Sequence, residues 1–414
     1  MRIQRCKGTR DLSPEEMSRF RLIEGVFREG CLKWGYEEVR TPTLEYLHLF
    51  TSTGTLTPSR LGKVYSFLDW DGWSGERVVL RPVGTIPIAR FYIDSLREKE
   101  LARLFYVTNI FIFEETGEEP RERWQCGAEL IGMSSPVADV ELMSLALEVL
   151  KGLGVEGVEL RLSHAGLIRA LLAKLRLSPE EQTKLFDQIL DGDIDALARV
   201  GSELGRVLSP LLDLKGKSSG FLKSLKALFT QDLSELEPYL DNFIDIVDLV
   251  EALGCSYQID IASGRGFEYY TGVIFQLFMG GENIGGGGRY DALIPLMGGG
   301  DIPASGFALY LDRLMNLVKP ETLTKPQKIL IRPEPEAMKQ GFSVANYLHN
   351  AGYVAELNLG SQGQADFSWT LDVQSKPPLF ILTDQVKHSK FEAQTANEVL
   401  TQLREEGADK DSLA

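Results

Sequence analysis

The chain of 414 residues is 43% hydrophobic and 25% charged, a composition that predicts a globular protein of two or three domains. Its formal net charge of −15 is spread along the sequence, which argues against a broad nucleic-acid-binding surface, so nucleic acid is not expected as a partner. No apolar run approaches the roughly 18 residues of a membrane span, and the N-terminus lacks the apolar core of a signal peptide, so we expect no membrane partner and a cytoplasmic location.

Cysteines and histidines are few and scattered along the chain. The four cysteines include no C-x-x-C pair, and the four histidines lie far apart in sequence. This pattern predicts no disulfide framework and no metal site. No cofactor is expected either.

The first predicted elements are a helix and a pair of strands. Ser13 and Glu16 have the spacing of a capping box, with Pro14 at the first helical position, and the helix is expected to end near Gly35. Strands are predicted at 105–113 and 124–132, on either side of an acidic loop, which favours an antiparallel sheet.

Three residues of the second strand carry the first functional signal. Gln125, Gly127 and Glu129 fall on one face of the strand by its two-residue period. An amide and a carboxylate with a glycine between them leave room for a polar ligand. An exposed sheet face is the alternative interpretation.

The remaining elements indicate an α+β fold. Strands are predicted at 77–80, 158–162, 256–261 and 273–279, helices at 87–97 and 139–151, and a strand followed by a helix over 303–314. The block at about 165–253 reads as helical and repeats the capping-box pattern at Ser178 and Glu181, so it is interpreted as a helical insertion. The predicted core, residues 1–318, is therefore an antiparallel sheet flanked by helices.

A second, smaller domain is predicted at the C-terminal end. Residues 319–327 form a proline-containing linker, and residues 328–414 show the order strand, helix, strand, strand, strand, helix, with the last helix over 391–404. Such alternation is typical of a small C-terminal α/β domain with a partly parallel sheet.

The stretch 265–272, Arg-Gly-Phe-Glu-Tyr-Tyr-Thr-Gly, joins two predicted strands. Arg265 offers a fork of donors suited to a carboxylate or phosphate, and Tyr269 and Tyr270 offer apolar rings with polar tips. These residue types predict a pocket for a small anion or an amino acid. A tight hairpin with two packed aromatic rings and a solvated arginine is the alternative.

A glycine run follows at 285–288, directly before Arg289, Tyr290 and Asp291. Such a run requires close backbone approach or positive φ. It is not a P-loop, because the Lys-Ser/Thr of that motif is missing.

Taken in this order, the segments resemble the histidyl branch of the class II aminoacyl-tRNA synthetases over roughly residues 5–318. The segments that carry the resemblance are 7–11, 42–50, 80–85, 125–129, 265–272, 287–291 and 303–313. The resemblance implies a class II synthetase-like fold and a homodimer formed through residues 42–50.

The resemblance also implies a histidine-binding pocket. In that family the residues matching Glu129 and Tyr270 hold the imidazole, and the residue matching Arg265 meets the carboxylate; a carboxylate and a phenol suit the two ring nitrogens. The full set of implied histidine-binding residues is Gln125, Glu129, Arg265, Tyr269, Tyr270 and Tyr290.

Three departures argue against a working ligase, so no catalytic residue is expected. Val83 stands where the family has a glutamate that pairs with the substrate ammonium, Ile112 where it has an arginine that grips the α-phosphate, and Tyr310 where it has a glycine beneath the ATP. Loss of an oriented cation at developing phosphate charge costs about 2–4 kcal/mol. Arg121 and Arg313, which match residues that hold ATP phosphates, are then vestigial nucleotide-binding residues.

A noncatalytic family, the regulatory subunits of ATP phosphoribosyltransferase, accounts for these departures. The segments 87–90, 125–132 and 269–275 look more like that family than like a ligase. This resemblance implies a larger hetero-oligomer with the short catalytic subunit, and histidine as the feedback effector at the first step of histidine biosynthesis. Val83 departs even from that family, where an acidic residue is usual, which predicts weakened histidine affinity. A diverged histidyl-tRNA synthetase and a stand-alone amino-acid-binding sensor are the alternatives.

Overall fold

A computed structural model describes residues 4–56, 61–70, 75–116, 120–175, 177–190, 193, 196, 199–200, 215–229, 234–261, 269–319, 327–360 and 367–411. The chain divides into two compact units, Met1–Leu323 and Thr324–Ala414. No described helix is long and apolar enough to cross a membrane.

The first unit combines helices with two sheets. Its described α-helices are α1 (Pro14–Lys33), α2 (Leu47–Ser52), α3 (Thr85–Ser95), α4 (Pro136–Gly152), α5 (Ala165–Ala173), α6 (Pro179–Leu190), α7 (Ser219–Phe229), α8 (Glu237–Ala252), α9 (Leu293–Leu296) and α10 (Leu311–Leu317). Its described strands are β1 (Glu37–Glu38), β2 (Leu44–Tyr46), β3 (Ser66–Trp70), β4 (Gly75–Leu80), β5 (Ala102–Phe111), β6 (Glu122–Ile131), β7 (Glu159–His164), β8 (Lys215–Gly216), β9 (Tyr257–Asp260), β10 (Val273–Met279), β11 (Glu282–Arg289) and β12 (Ala304–Tyr310).

Nine of these strands form one sheet in the order β1-β5-β6-β12-β11-β10-β7-β9-β8, and the other three form a small sheet in the order β2-β4-β3. The centre of the large sheet, from β5 to β7, is antiparallel throughout, as predicted. Among the described strands of the large sheet, only the pairs β1–β5 and β7–β9 are parallel. The α+β fold predicted from the sequence is confirmed.

Helix α1 packs on the centre of the large sheet. Both halves of the capping box are present: the Glu16 amide donates to the Ser13 hydroxyl and the Ser13 amide donates to the Glu16 carboxylate. Phe27, fully buried, meets Phe105 of β5 and Phe307 of β12 at ring-centroid distances of 6.0 and 6.4 Å. Edge-on packing of this kind fixes the helix over the strands that carry the predicted site.

The second unit contains a five-stranded mixed sheet. Its strands are β13 (Lys328–Pro333), β14 (Val354–Leu357), β15 (Trp369–Val373), β16 (Phe380–Asp384) and β17 (Lys390–Ala393), in the order β14-β13-β15-β16-β17, and its helices are α11 (Met338–Asn350) and α12 (Ala396–Asp411). Strand β13 is parallel to both neighbours, whereas β15, β16 and β17 are antiparallel, so the partly parallel sheet is confirmed.

One local prediction is wrong, and the structure makes two others more specific. Residues 390–393 form strand β17 rather than the start of the last helix, because pairing with β16 satisfies their backbone groups. The block at about 165–253 was predicted to be almost wholly helical, and its described elements are helices and one two-residue strand, β8, which pairs with β9 at the edge of the large sheet. The glycine run 285–288 lies in β11 and fulfils the first of its two predicted alternatives, close backbone approach, since a Cβ atom on Gly287 would lie 2.1 Å from the Gly306 carbonyl oxygen; none of its residues has positive φ.

Candidate ligand-binding site

A pocket of about 330 Å³, counted to its open mouth, lies on one face of the large sheet. Strands β6, β11 and β12 form its floor, and the segments before α3 and β10 form its walls. The residues that line it are Val83, Thr85, Gln125, Tyr269, Tyr270, Gly286, Tyr290, Gly306, Phe307, Ala308 and Tyr310. Aromatic, hydroxyl and amide side chains make up most of this lining.

Glu129 lies beneath the pocket and is only 1% exposed. The Tyr106 hydroxyl donates to its Oε1 atom at 3.2 Å, the Tyr290 hydroxyl donates to its Oε2 atom, and Thr85 provides a further hydrogen bond. Burial raises the pKa of this carboxyl to about 8, because the hydrogen bonds only partly offset the loss of water. Glu129 is therefore protonated at neutral pH, unless a ligand brings a compensating charge.

The position of Tyr106 depends on a glycine in the neighbouring strand. Tyr106 of β5 lies directly opposite Gly127 of β6, and a Cβ atom on Gly127 would lie 2.3 Å from the Tyr106 ring. The glycine that separates Gln125 from Glu129 thus makes room for the phenol that binds Glu129. This is why the strand carries an amide, a glycine and a carboxylate at alternate positions.

Three phenol rings close one side of the pocket. The ring of Tyr269 lies 5.1 Å from that of Tyr270 and 5.6 Å from that of Tyr290, measured between centroids. Burial raises the pKa of all three hydroxyls well above the usual value, and the nearby Glu129 adds to the shift. The three side chains stay neutral and offer hydrogen bonds at the edge of an apolar slot.

Gln125 has an unsatisfied acceptor in this pocket. Its side chain is 4% exposed, and its Oε1 atom has no hydrogen-bond partner among the described residues. A buried amide oxygen without a donor costs about 1–3 kcal/mol. A ligand with an N–H or O–H group at this point would satisfy it.

The structure brings most of the predicted histidine-binding residues together. Gln125, Tyr269, Tyr270 and Tyr290 line the pocket and Glu129 lies beneath it, so the interpretation of β6 as an exposed sheet face is wrong. Val83, 4% exposed, forms part of the wall. Arg265 lies outside the described residues, as do residues 266–268.

The two predicted nucleotide-binding arginines lie outside the pocket lining. The Arg121 Nε atom donates to the Glu114 carbonyl at 2.7 Å, and its guanidinium lies 4.6 Å from the Phe113 ring centroid. The Arg313 guanidinium donates to the Asn283 carbonyl and lies 5.3 Å from the Tyr310 ring centroid. Both are held by contacts with the protein itself.

Sequence reasoning missed Thr85, Tyr106 and Gly306 as parts of the site. The alternation of the predicted strand 105–113 placed Tyr106 on a defined face, but its partner across the sheet depended on the register with β6. Gly306 became significant only through its pairing with Glu129. Thr85 starts helix α3, and no spacing in the sequence linked it to Glu129.

Arg289 is held by two acidic residues close to the site. Its guanidinium forms two hydrogen bonds with Asp139, at 3.1 and 2.8 Å, and a third with Asp291. Both members of the Arg289–Asp139 pair are buried, and burial raises the pKa of Asp139 to about 6 despite the arginine. The pair ties β11, which precedes Tyr290, to helix α4. Arg289 itself is not among the residues that line the pocket.

These groups can hold a small ligand with hydrogen-bonding nitrogens. They provide hydroxyls, one carboxyl and one amide oxygen that has no partner among the described residues. Within the described residues, no group of three or more His, Cys, Asp or Glu side chains could hold a metal ion.

Comparison with protein families gives a match to the histidyl-tRNA synthetase family over residues 8–314. Curated relatives from Dehalococcoides mccartyi, known as ATP phosphoribosyltransferase regulatory subunits, are 54% identical over 409 residues, which is 98% of this chain and 99% of the relative. A histidine–tRNA ligase from Methanocaldococcus jannaschii is 34% identical over 369 residues, or 86% of each chain.

Solved structures share the fold. A Bacillus halodurans protein described as an ATP phosphoribosyltransferase regulatory subunit/histidyl-tRNA synthetase has a TM-score of 0.78 at 23% identity, covering 91% of this chain and 99% of that one. Histidyl-tRNA synthetase from Nostoc has a TM-score of 0.77 at 17% identity, covering 97% and 100%. The class II synthetase-like fold predicted from the sequence is confirmed.

Proposed function

We propose that this chain, which belongs to the histidyl-tRNA synthetase family and within it to the regulatory subunits of ATP phosphoribosyltransferase, binds the short catalytic subunit of that enzyme and makes its activity sensitive to histidine. In this role it acts in the first step of histidine biosynthesis and catalyses no reaction itself. It works as a homodimer within a larger hetero-oligomer.

The observation that carries the proposal is that Glu129 and Gln125 lie at the same pocket. Glu129 lies beneath the pocket and accepts hydrogen bonds from Tyr106 and Tyr290, while the Gln125 oxygen has no partner among the described residues. The carboxyl group of Glu129 suits an imidazole nitrogen, and the Gln125 oxygen suits an N–H donor on the rest of the ligand. Histidine provides both.

The absence of catalysis is supported by what surrounds this pocket. Val83 occupies the wall, so a bound ammonium has no carboxylate from that position. Isoleucine at position 112, before the acidic loop, has no charge with which to bind a phosphate. At position 310 a tyrosine ring lines the pocket. Such a site retains recognition of a ring and loses the electrostatic support that amino-acid activation requires.

One assay separates a regulatory subunit from a ligase. Histidine-dependent exchange of pyrophosphate into ATP should be undetectable, because the activation step lacks its oriented cation. Robust exchange would instead identify a diverged histidyl-tRNA synthetase, the function that the 34% identity to a histidine–tRNA ligase would support.

Reconstitution with the short catalytic subunit tests the regulatory role directly. The mixture should form a complex with phosphoribosyltransferase activity that histidine inhibits. Glu129→Gln should retain assembly and weaken inhibition, whereas Glu336→Gln, at an exposed position in the second unit, should behave like wild type. A chain that binds histidine and assembles with no catalytic subunit would be a stand-alone sensor.

A further inference from the structure

Tyr310 occupies the end of the pocket opposite Glu129. It is the last residue of β12 and pairs directly with Gln125 of β6, whereas Glu129 pairs with Gly306. Gln125 and Glu129 are four positions apart along β6, which is roughly 13 Å at about 3.3 Å per residue. A ligand whose ring is held at Glu129 therefore extends its tail toward Tyr310.

A positive charge lies over the Tyr310 ring. The Arg313 guanidinium lies 5.3 Å from the ring centroid. Burial raises the pKa of the Tyr310 hydroxyl, and the charges of Arg313 and Arg123 oppose that shift. A stacked arginine and phenol stabilise each other.

The pocket itself has no such charge. None of the described residues that line it is charged, and Arg313 is not among them although Tyr310 is. The Tyr310 ring therefore contacts the Arg313 guanidinium and also belongs to a lining that, over the described residues, carries no charge. Without that ring, we expect Arg313 to be exposed to the tail of a bound ligand and to attract an anion.

We propose that Tyr310 is a specificity-determining partition: it admits an imidazole-bearing ligand of single amino-acid length and excludes one whose tail is extended by a phosphate group. This inference rests on the proposed function, because it assumes that the pocket takes a ring at Glu129. The partition would let a regulatory subunit respond to a free amino acid and ignore phosphorylated molecules that carry the same ring.

The test is calorimetry with three ligands that share the imidazole: histidine, histidinol and histidinol phosphate. Wild type and Tyr310→Phe should bind histidine at least about tenfold more tightly than histidinol phosphate. Tyr310→Ala should raise the affinity for histidinol phosphate about tenfold or more and leave histidinol nearly unchanged. Adding Arg313→Gln to Tyr310→Ala should remove that gain, because the gain depends on the guanidinium. Thermal unfolding of each variant checks that the fold is retained.

Two results would overturn the partition: equal affinities of wild type for histidine and histidinol phosphate, or a Tyr310→Ala variant that folds and keeps the wild-type ratio. Failure of the proposed function has a different signature. If wild type binds no histidine while Tyr310→Ala binds histidinol phosphate in an Arg313-dependent way, the partition stands and histidine is not the natural ligand. If no variant binds any of the three molecules, both proposals fall.

Discussion

Gly306 of β12 faces Glu129 of β6 so closely that a Cβ atom on Gly306 would lie 1.7 Å from the Glu129 Oε2 atom. No L side chain fits there unless the Glu129 carboxyl group moves away from the hydroxyl groups that bind it. We expect Gly306→Ala to lower the free energy of unfolding by about 1–3 kcal/mol, the usual cost of overpacking, and to weaken histidine binding at least about tenfold. Urea unfolding and calorimetry would measure the two effects.

Gly25 provides the matched control, because it lies inside helix α1 and an added Cβ atom would meet no heavy atom within 4 Å. Gly25→Ala should stabilise the protein by about 0.5–1 kcal/mol through helix propensity and leave histidine binding unchanged. If Gly306→Ala behaved like Gly25→Ala, the close contact with Glu129 would matter neither for stability nor for histidine binding.

Val83→Glu should restore a partner for the ligand ammonium. Val83 is buried in the pocket wall, so a glutamate there would destabilise the free protein, and histidine should reverse that loss on binding. We expect a gain in histidine affinity of about 10- to 100-fold by calorimetry, together with a larger histidine-induced shift in melting temperature than in wild type. Val83→Gln, of the same size without the charge, should give little gain. A similar gain with both variants would show that charge is not what the pocket lacks.

Strand alternation and family motifs in the sequence were enough to predict part of this site. Alternation placed Gln125 and Glu129 on one face of a strand, and both lie at the pocket in the structure. Strand β10 has the predicted bounds, because its apolar run pairs on both sides within the sheet.

What could not be predicted depended on register and on distant contacts. Tyr106 reaches Glu129 only because β5 and β6 pair with Tyr106 opposite Gly127. The raised pKa of Glu129 follows from burial beneath β12, which no local pattern reports. Strand β17 was missed for the same reason, since its residues gain their strand pairing from β16 rather than from a local signal.

Histidine affinity should depend on pH through Glu129. The pKa of this carboxyl is about 8 in the free protein, and that of a free imidazole is about 6.5. In the complex, the Glu129 carboxyl and the ligand imidazole share one titratable proton. Between pH 6.5 and 8 the free carboxyl and the free imidazole together also hold one, so affinity should not change with pH in this range. Above pH 8 the free carboxyl ionises, and below pH 6.5 the free imidazole gains a second proton, so affinity should fall on both sides. Calorimetry from pH 5.5 to 9.5 would trace this curve.

Glu129→Gln is the control for that curve, because it removes the group that titrates near pH 8. The variant should bind more weakly and lose the fall above pH 8, while the fall below pH 6.5 remains. A wild-type affinity that rises above pH 8 would contradict the protonated state of Glu129 in the free pocket.

His164 should make stability depend on pH at lower values. It caps helix α5 with Nδ1, which accepts from the Leu167 amide at 3.2 Å, and its Nε2 atom lies 3.2 Å from the Asn242 oxygen. Burial lowers its pKa to about 4, against about 6.5 in the unfolded chain. The unfolded state thus binds more protons between these values, so this contribution to stability is complete above pH 6.5 and is lost as pH falls toward 4.

Urea unfolding of wild type and His164→Asn between pH 4 and 7.5 would isolate that contribution. Asn keeps a capping oxygen and does not titrate, so the difference in unfolding free energy should shrink as pH falls. Asp139, whose raised pKa of about 6 changes stability in the opposite direction, is present in both proteins and cancels. Parallel curves would show that His164 does not titrate with folding.

The small sheet β2-β4-β3 should form the homodimer interface. Tyr46 and Phe67 both pair with Val78 and so share a face with Leu44, and all three apolar side chains are nearly half exposed. Exposed apolar surface gathered on one sheet is typical of a protein interface. We expect sedimentation at micromolar concentration to give twice the 46.1 kDa of one chain, and Tyr46→Glu with Phe67→Glu to give the monomer. Leu32→Glu, at an exposed leucine of helix α1, is the control and should remain dimeric. A wild-type protein that sediments at 46.1 kDa would contradict this interface.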